Sequence, residues 1–473
     1  MPRRPPVPDI LACLAVFAVS VGYAVVTWQA GGAVGIHYPL GSDGPIWFDS
    51  ARLAAAGEPV GMPPMYPRLL SALSRGPPRL GAALSLNGAL VALTLLGAAA
   101  TAALAAAAAS PWSRRAAALG APLVVLAAGD PAAYAWYIHP EPLITAALVW
   151  VGAAAVAAVR WPGAWTAAAL GLCCGVALGA KEHGLVTLLL APAVVWLAAP
   201  GAGGRWRRLS AWGLVLAPFL VSQLLDGALF AKAWEAVSES LGWLGQDPGS
   251  MAVLPIEMSD EQQQQVRDGG LIGMSARQML TASQTWWPAY GGAALGLAGL
   301  LAARRWRLLL ALALPLATLA PALVLWTEPR HYLVVAPAAA TVAVAAAGCL
   351  ARSWRTAAAL LGGCLLAAAL LAPGASRRLD TTLRDIATLQ AERGDEYDAL
   401  MWLIANLDIA DRVLLEVDPV VLGKLPFMPI PRGQPLRPES LPADAYMVTS
   451  RSAPLPWELA QTTGALRIYR LRR

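Results

Sequence analysis

Charge is scarce in this sequence. Aspartate, glutamate, lysine and arginine make up 14% of its 473 residues, against roughly 25% in a soluble domain, so most of the chain cannot present a water-facing surface. Cysteine is scarce as well. Cys13, Cys173, Cys174, Cys349 and Cys364 all fall inside apolar runs, where a thiol behaves as a small hydrophobe, and neither a disulfide framework nor a zinc pattern follows from them. The four histidines lack the fixed spacing that makes a metal motif specific. No internal repeat of fixed period appears, which argues against a transporter built from inverted repeats. The net charge of +6 sits in short arginine clusters between apolar runs, with no extended basic face, and this argues against nucleic acid as a partner.

What the chain has in quantity is apolar length. Segments such as Ile10–Val26, Ala82–Ala109, Ala164–Ala180 and Leu308–Trp326 are each about long enough to cross a hydrocarbon core of roughly 30 Å as a helix. About eleven such spans are expected, near 10–29, 82–109, 116–129, 141–159, 164–180, 185–199, 209–225, 284–303, 308–326, 332–350 and 356–373. The first has no clear small-residue cleavage site and reads as a retained anchor. With the N-terminus in the cytoplasm, every inner connection carries arginine: Arg3 and Arg4, Arg114 and Arg115, Arg160, Arg205 to Arg208, Arg304 to Arg307, Arg352 and Arg355. This is the positive-inside distribution, and an odd span count puts the C-terminus outside.

Two long outer loops remain, 30–81 and 226–283, and loops of that length are seldom only connectors. The second ends on Trp286 and Trp287, a pair suited to an interfacial belt. After Pro373 an amphipathic pattern over 379–407 precedes short apolar runs at Val413–Val417, Ala445–Val448 and Leu466–Leu471. The expected architecture is an all-α polytopic membrane module over 1–373, followed by a small extracytoplasmic α/β domain over 374–473.

The polar residues gather on one side of this topology. His37, His139, His183 and His331 all lie at outer ends of expected spans, together with Asp43, Asp49, Glu141, Lys181, Glu182, Glu328 and Arg330. Charged groups near membrane depth usually line a polar cavity or pair with one another, so a single outer-facing site is expected. The stretch from Ser42 to Gly57 with the run Pro63-Pro64-Met65-Tyr66-Pro67 resembles the first outer loop of GT-C glycosyltransferases. The nearest members are the protein mannosyltransferases and lipid A aminoarabinose transferases that use polyprenyl-phosphate sugars. Gly179 to Gly184 is similar to that family's lysine-bearing turn, and Arg330-His331-Tyr332 before Pro337 is similar to its Arg-Tyr run. Two positions depart from the pattern: Gly44 stands where a second acidic residue is common, and His331 separates Arg330 from Tyr332.

The resemblance implies Asp43 as the catalytic carboxylate, with Lys181, Arg330 and His331 at the donor phosphate and Asp49, Tyr66 and Glu141 as acceptor-side or supporting residues. The chemistry asks for the same kinds of group. A carboxylate must take the proton of the attacking hydroxyl, and positive charge must meet the leaving phosphate. A divalent metal ion held by His183 and Glu182 or Glu141 could serve the second need. As a helical i,i+3 pair, Asp49 and Arg52 would support each other structurally. The expected partners are membrane lipids, a polyprenyl-phosphate sugar, and a lipid, glycan or protein acceptor. Two other functions fit the same charges: a flippase for a lipid-linked anion and a non-catalytic envelope assembly protein.

Overall fold

Alanine-rich apolar runs have one stable solution in lipid, which is the helix, because it satisfies every backbone group within its own segment. The computed structural model describes residues 7–34, 44–58, 60, 63–76, 78–129, 135–198, 286–320, 332–407, 412–415, 428–429, 445–453 and 457–471. Its helices are α1 (Val7–Val34), α2 (Gly44–Ala56), α3 (Met65–Ser74), α4 (Leu80–Ala106), α5 (Pro111–Val124), α6 (Glu141–Arg160), α7 (Ala164–Ala180) and α8 (Gly184–Ala198). They continue with α9 (286–302), then α10 (Trp306–Ala313), α11 (Ala336–Leu350) and α12 (Trp354–Asn406).

A helix stands at or within every expected span except 209–225, which lies outside the described residues together with the loop 226–283. By length and apolarity, three of the described helices can cross a membrane: α4, α6 and the part of α12 over Trp354–Leu403. Five shorter apolar helices accompany them. The expected loop 30–81 holds helical structure, since α2 and α3 lie inside it. Of the tryptophan pair, Trp286 is buried while Trp287 is 63% exposed, so only the second is free to face an interface.

The chain divides into two compact units. The first unit comprises 1–26, 88–133 and 140–378, and the second comprises 27–87, 134–139 and 379–473. Pro373 does not end a helix: α12 runs through it, and the non-helical residue lies further on at Arg393 (φ −122°, ψ 15°). A proline can stay inside a long apolar helix when neighbouring groups satisfy the carbonyl it frees.

In the first unit, α6 packs on α7 and α8, and α11 packs on α5. Small residues permit this closeness, as they do generally between helices in lipid. A Cβ added to Gly348 would come within 2.9 Å of the Ala117 side chain. Polar groups supplement the packing. Thr101 Oγ1 donates to the Val149 carbonyl at 3.0 Å and Trp150 Nε1 donates to that of Leu93 at 3.0 Å, tying α4 to α6. At the start of α5, Ser110 caps the Ser113 amide with Pro111 in the first turn, while Ser113 Oγ donates to the Ala351 carbonyl at 2.5 Å.

The second unit is built around a five-stranded mixed sheet in the order β2-β1-β3-β5-β4. Its strands are β1 (Arg412–Leu415), β2 (Met428–Pro429), β3 (Ala445–Thr449), β4 (Trp457–Thr463) and β5 (Leu466–Leu471). β1 pairs in parallel with β2 and β3, and β5 runs antiparallel to β3 and β4. Side chains alternate between the two faces of a strand. Val413, Tyr446, Val448, Leu466 and Ile468 therefore form one buried layer with Ile386, Tyr397, Leu400 and Leu403 of α12, while Leu414, Met447, Trp457, Tyr469 and Leu471 form a layer on the other face. Gly464 (φ +56°) turns the β4–β5 hairpin against Asp395, where a Cβ would collide with the carboxylate, and that carboxylate accepts from the Ala465 amide at 2.7 Å.

Candidate functional site

The turn between α7 and α8 carries Lys181, Glu182 and His183 in succession. Lys181 leaves α7 in extended geometry (φ −161°, ψ 146°) while its amide still bonds the Ala177 carbonyl. The chain reverses within three residues, and the amides of Gly184 and Leu185 close on the carbonyls of Lys181 and Glu182, each at 2.9 Å. Only glycine fits at the end of this reversal, because a Cβ on Gly184 would fall onto the backbone of Ala177 and Leu178.

The turn aims Lys181 at the first residue of α6. Lys181 Nζ donates to Glu141 Oε1 at 2.8 Å, with side-chain exposures of 12% and 2%. Each partner stands at a favourable helix pole, the carboxylate in the first turn of α6 and the ammonium just past the last turn of α7, where the backbone dipoles stabilise those signs. His183 is buried in the same turn. Burial and then the Lys181 charge pull its pKa down to about 3, opposed by Glu141, so it is neutral at any physiological pH. Glu182 is half-buried. Among the described residues no three histidine, cysteine, aspartate or glutamate side chains gather as a metal site.

In the second unit, Tyr66 anchors a buried polar clamp. Tyr66 follows the proline run at the start of α3, and its hydroxyl donates to Asn87 Oδ1 at 3.0 Å. Asn87 Nδ2 donates in turn to the carbonyls of Ala135 at 3.2 Å and Tyr137 at 2.7 Å. Trp47 of α2 meets the Tyr66 ring edge-on at 6.3 Å. Asp49 forms the expected i,i+3 pair, accepting from Arg52 Nε at 2.9 Å, and Arg52 Nη1 donates to the Leu407 carbonyl at 3.1 Å. Both Asp49 and Tyr66 are thus engaged in holding structure.

The structure therefore brings together Glu141, Lys181 and His183. Asp43, Arg330, His331 and His37 lie outside the described residues, although Asp43 immediately precedes α2 in sequence. His139 belongs to the second unit, buried with its ring 6.3 Å from that of Tyr137. Sequence reasoning missed Asn87, whose signal was a lone amide in the apolar run of α4. It also missed that Glu141 and Lys181, assigned to different roles, are each other's partner.

No family model matches the chain, and no curated protein matches it. Solved structures do. The ArnT crystal structure from Cupriavidus metallidurans bound to undecaprenyl phosphate aligns with 96% of this chain and 97% of its own, at TM-score 0.58 and 15% identity. The apo structure of the same protein aligns over the same shares at TM-score 0.56 and 15% identity. An archaeal oligosaccharyltransferase, AglB from Archaeoglobus fulgidus, aligns at TM-score 0.45 and 14% identity over 84% of this chain and 58% of its own. At these identities the likeness to ArnT is one of fold alone, shared over nearly the whole of both chains.

Proposed function

We propose that the protein is a membrane glycosyltransferase, moving a hexosyl or pentosyl group from a polyprenyl-phosphate donor to a lipid, glycan or protein acceptor on the outer face, with inversion. The observation that carries this reading is the buried Lys181–Glu141 pair, at a helix end of a fold shared over nearly the whole chain with a protein bound to undecaprenyl phosphate. Lysine has three donors, and one is spent on Glu141. The others remain for phosphate oxygens, while the carboxylate holds the long side chain at its post. An ammonium fixed before the phosphate arrives stabilises the developing negative charge without reorganising.

In this reading Asp43 accepts the acceptor's proton as the oxygen attacks the anomeric carbon from the side opposite the phosphate. The C–O bond to phosphate breaks as the new bond forms, and the leaving oxygen's charge is met by Lys181, Arg330 and His331. His183, buried and neutral in the same turn, adds no charge to compete with Lys181 for the phosphate. No step is routed through a divalent ion, because His183 and Glu182 gain no third ligand among the described residues.

The test is transfer of radiolabelled sugar from polyprenyl-phosphate donors to acceptors in proteoliposomes. Asp43→Asn is expected to lose about 100- to 10,000-fold in rate, the usual cost of a general base, with Asp49→Asn near wild type. Wild-type transfer by Asp43→Asn would overturn the assignment of the base, and no transfer from any such donor would overturn the function.

A further inference from the structure

At the other end of α6 lies a feature that the transfer reaction does not use. α6 is 20 residues long, so at 1.5 Å per residue its Arg160 end stands about 30 Å from Glu141. There the first unit holds a cavity of about 670 Å³ lined by Arg160, Arg304, Arg305 and Arg307, by Trp161 and Trp306, and by small apolar residues between them. No carboxylate is among its described lining residues. Arg305 donates to the Cys349 carbonyl at 2.6 Å and Arg160 to that of Ala105, which fixes two guanidinium groups at the wall. The buried Nε of Arg160 has no hydrogen-bond partner among the described residues. α10 begins here as well, and its N-cap Arg305 supplies no side-chain cap, so unsatisfied amides add positive character.

Four arginines around one cavity, with no carboxylate among its described lining residues, favour an anionic ligand. We propose that this cavity binds the phosphate headgroup of an anionic phospholipid, independently of the transferase reading. Two observations favour a lipid over a free phosphate ion. The cavity is far larger than one phosphate, and its apolar walls suit the glycerol and the first acyl carbons. Trp161 and Trp306 flank it half-exposed, as indoles do at the headgroup level, and Arg307 lies 5.4 Å from the Trp306 ring centre, which keeps one guanidinium at that depth.

The test is native mass spectrometry and thermal unfolding of the full chain in detergent, titrated with phosphatidylglycerol, phosphatidylcholine or inorganic phosphate. The wild type is expected to retain one phosphatidylglycerol more firmly than phosphatidylcholine and to be stabilised by it. Arg304→Gln with Arg307→Gln should weaken that binding by tenfold or more, since charge-assisted bonds are the stronger class. Neither side chain makes a hydrogen bond within the described structure, so the double variant should fold. Arg352→Gln with Arg355→Gln removes the same charge outside the cavity and should leave binding unchanged. Equal loss in both double variants, no preference for phosphatidylglycerol, or equal stabilisation by inorganic phosphate would each overturn the proposal.

Discussion

Removing one partner of the Glu141–Lys181 pair should cost far more than removing both. At 2.8 Å and an effective dielectric near 20, the Coulomb attraction is about 6 kcal/mol, of the same order as the penalty for taking the two ions out of water. The net contribution is therefore small, but a lone buried charge keeps the penalty and loses the attraction. Lys181→Met and Glu141→Gln are each expected to destabilise by about 3–5 kcal/mol, and the double variant to return to within about 1 kcal/mol of wild type. Equilibrium unfolding in detergent, read as a double-mutant cycle, measures the coupling directly. Under the proposed function, in which Lys181 meets the donor phosphate, the double variant should be folded yet inactive in transfer. Single variants as stable as wild type, or a double variant carrying the sum of both losses, would refute it.

His183 should make stability depend on pH. Its folded pKa of about 3 lies below the ordinary 6.5, so between those values the unfolded chain binds a proton that the native state refuses. Stability then falls as pH drops below about 6.5, by up to about 1.4 kcal/mol per unit. His183→Gln should flatten that slope in unfolding series from pH 7 to pH 4, and parallel curves would remove His183 as the cause. Tyr66→Phe takes one donor from the buried Asn87 carbonyl and should destabilise by about 1–3 kcal/mol, visible as a lower unfolding midpoint with donor binding unchanged.

Much of the helical layer was legible because apolar length is a one-dimensional signal. The runs near α4, α6, α7 and α8 start and stop within a few residues of the expected spans. Of the sheet, β1, β3 and β5 coincide with apolar runs, whereas β4 does not: Glu458, Gln461 and Thr462 give it a polar exterior, and it is a strand because it pairs with β5. Spacing also placed Asp49 beside Arg52, a contact within one helix turn. The Lys181–Glu141 pair joins positions 40 residues apart and depends on how α6 packs against α7, which no local pattern encodes. Lys181 accordingly reads as a phosphate contact in the sequence, whereas the structure shows it as the counter-ion of Glu141.

The central claim is that the chain carries out an inverting displacement on a polyprenyl-phosphate sugar, and the stereochemistry of the product tests it most directly. Purified protein in proteoliposomes would be supplied with a polyprenyl-phosphate sugar of defined anomeric configuration, and the anomeric proton of the product read by nuclear magnetic resonance. The account predicts a single product of the opposite configuration, formed in step with release of polyprenyl phosphate and lost in Asp43→Asn. A product that retains the donor's configuration, or donor that crosses the bilayer with its sugar still attached, would contradict it.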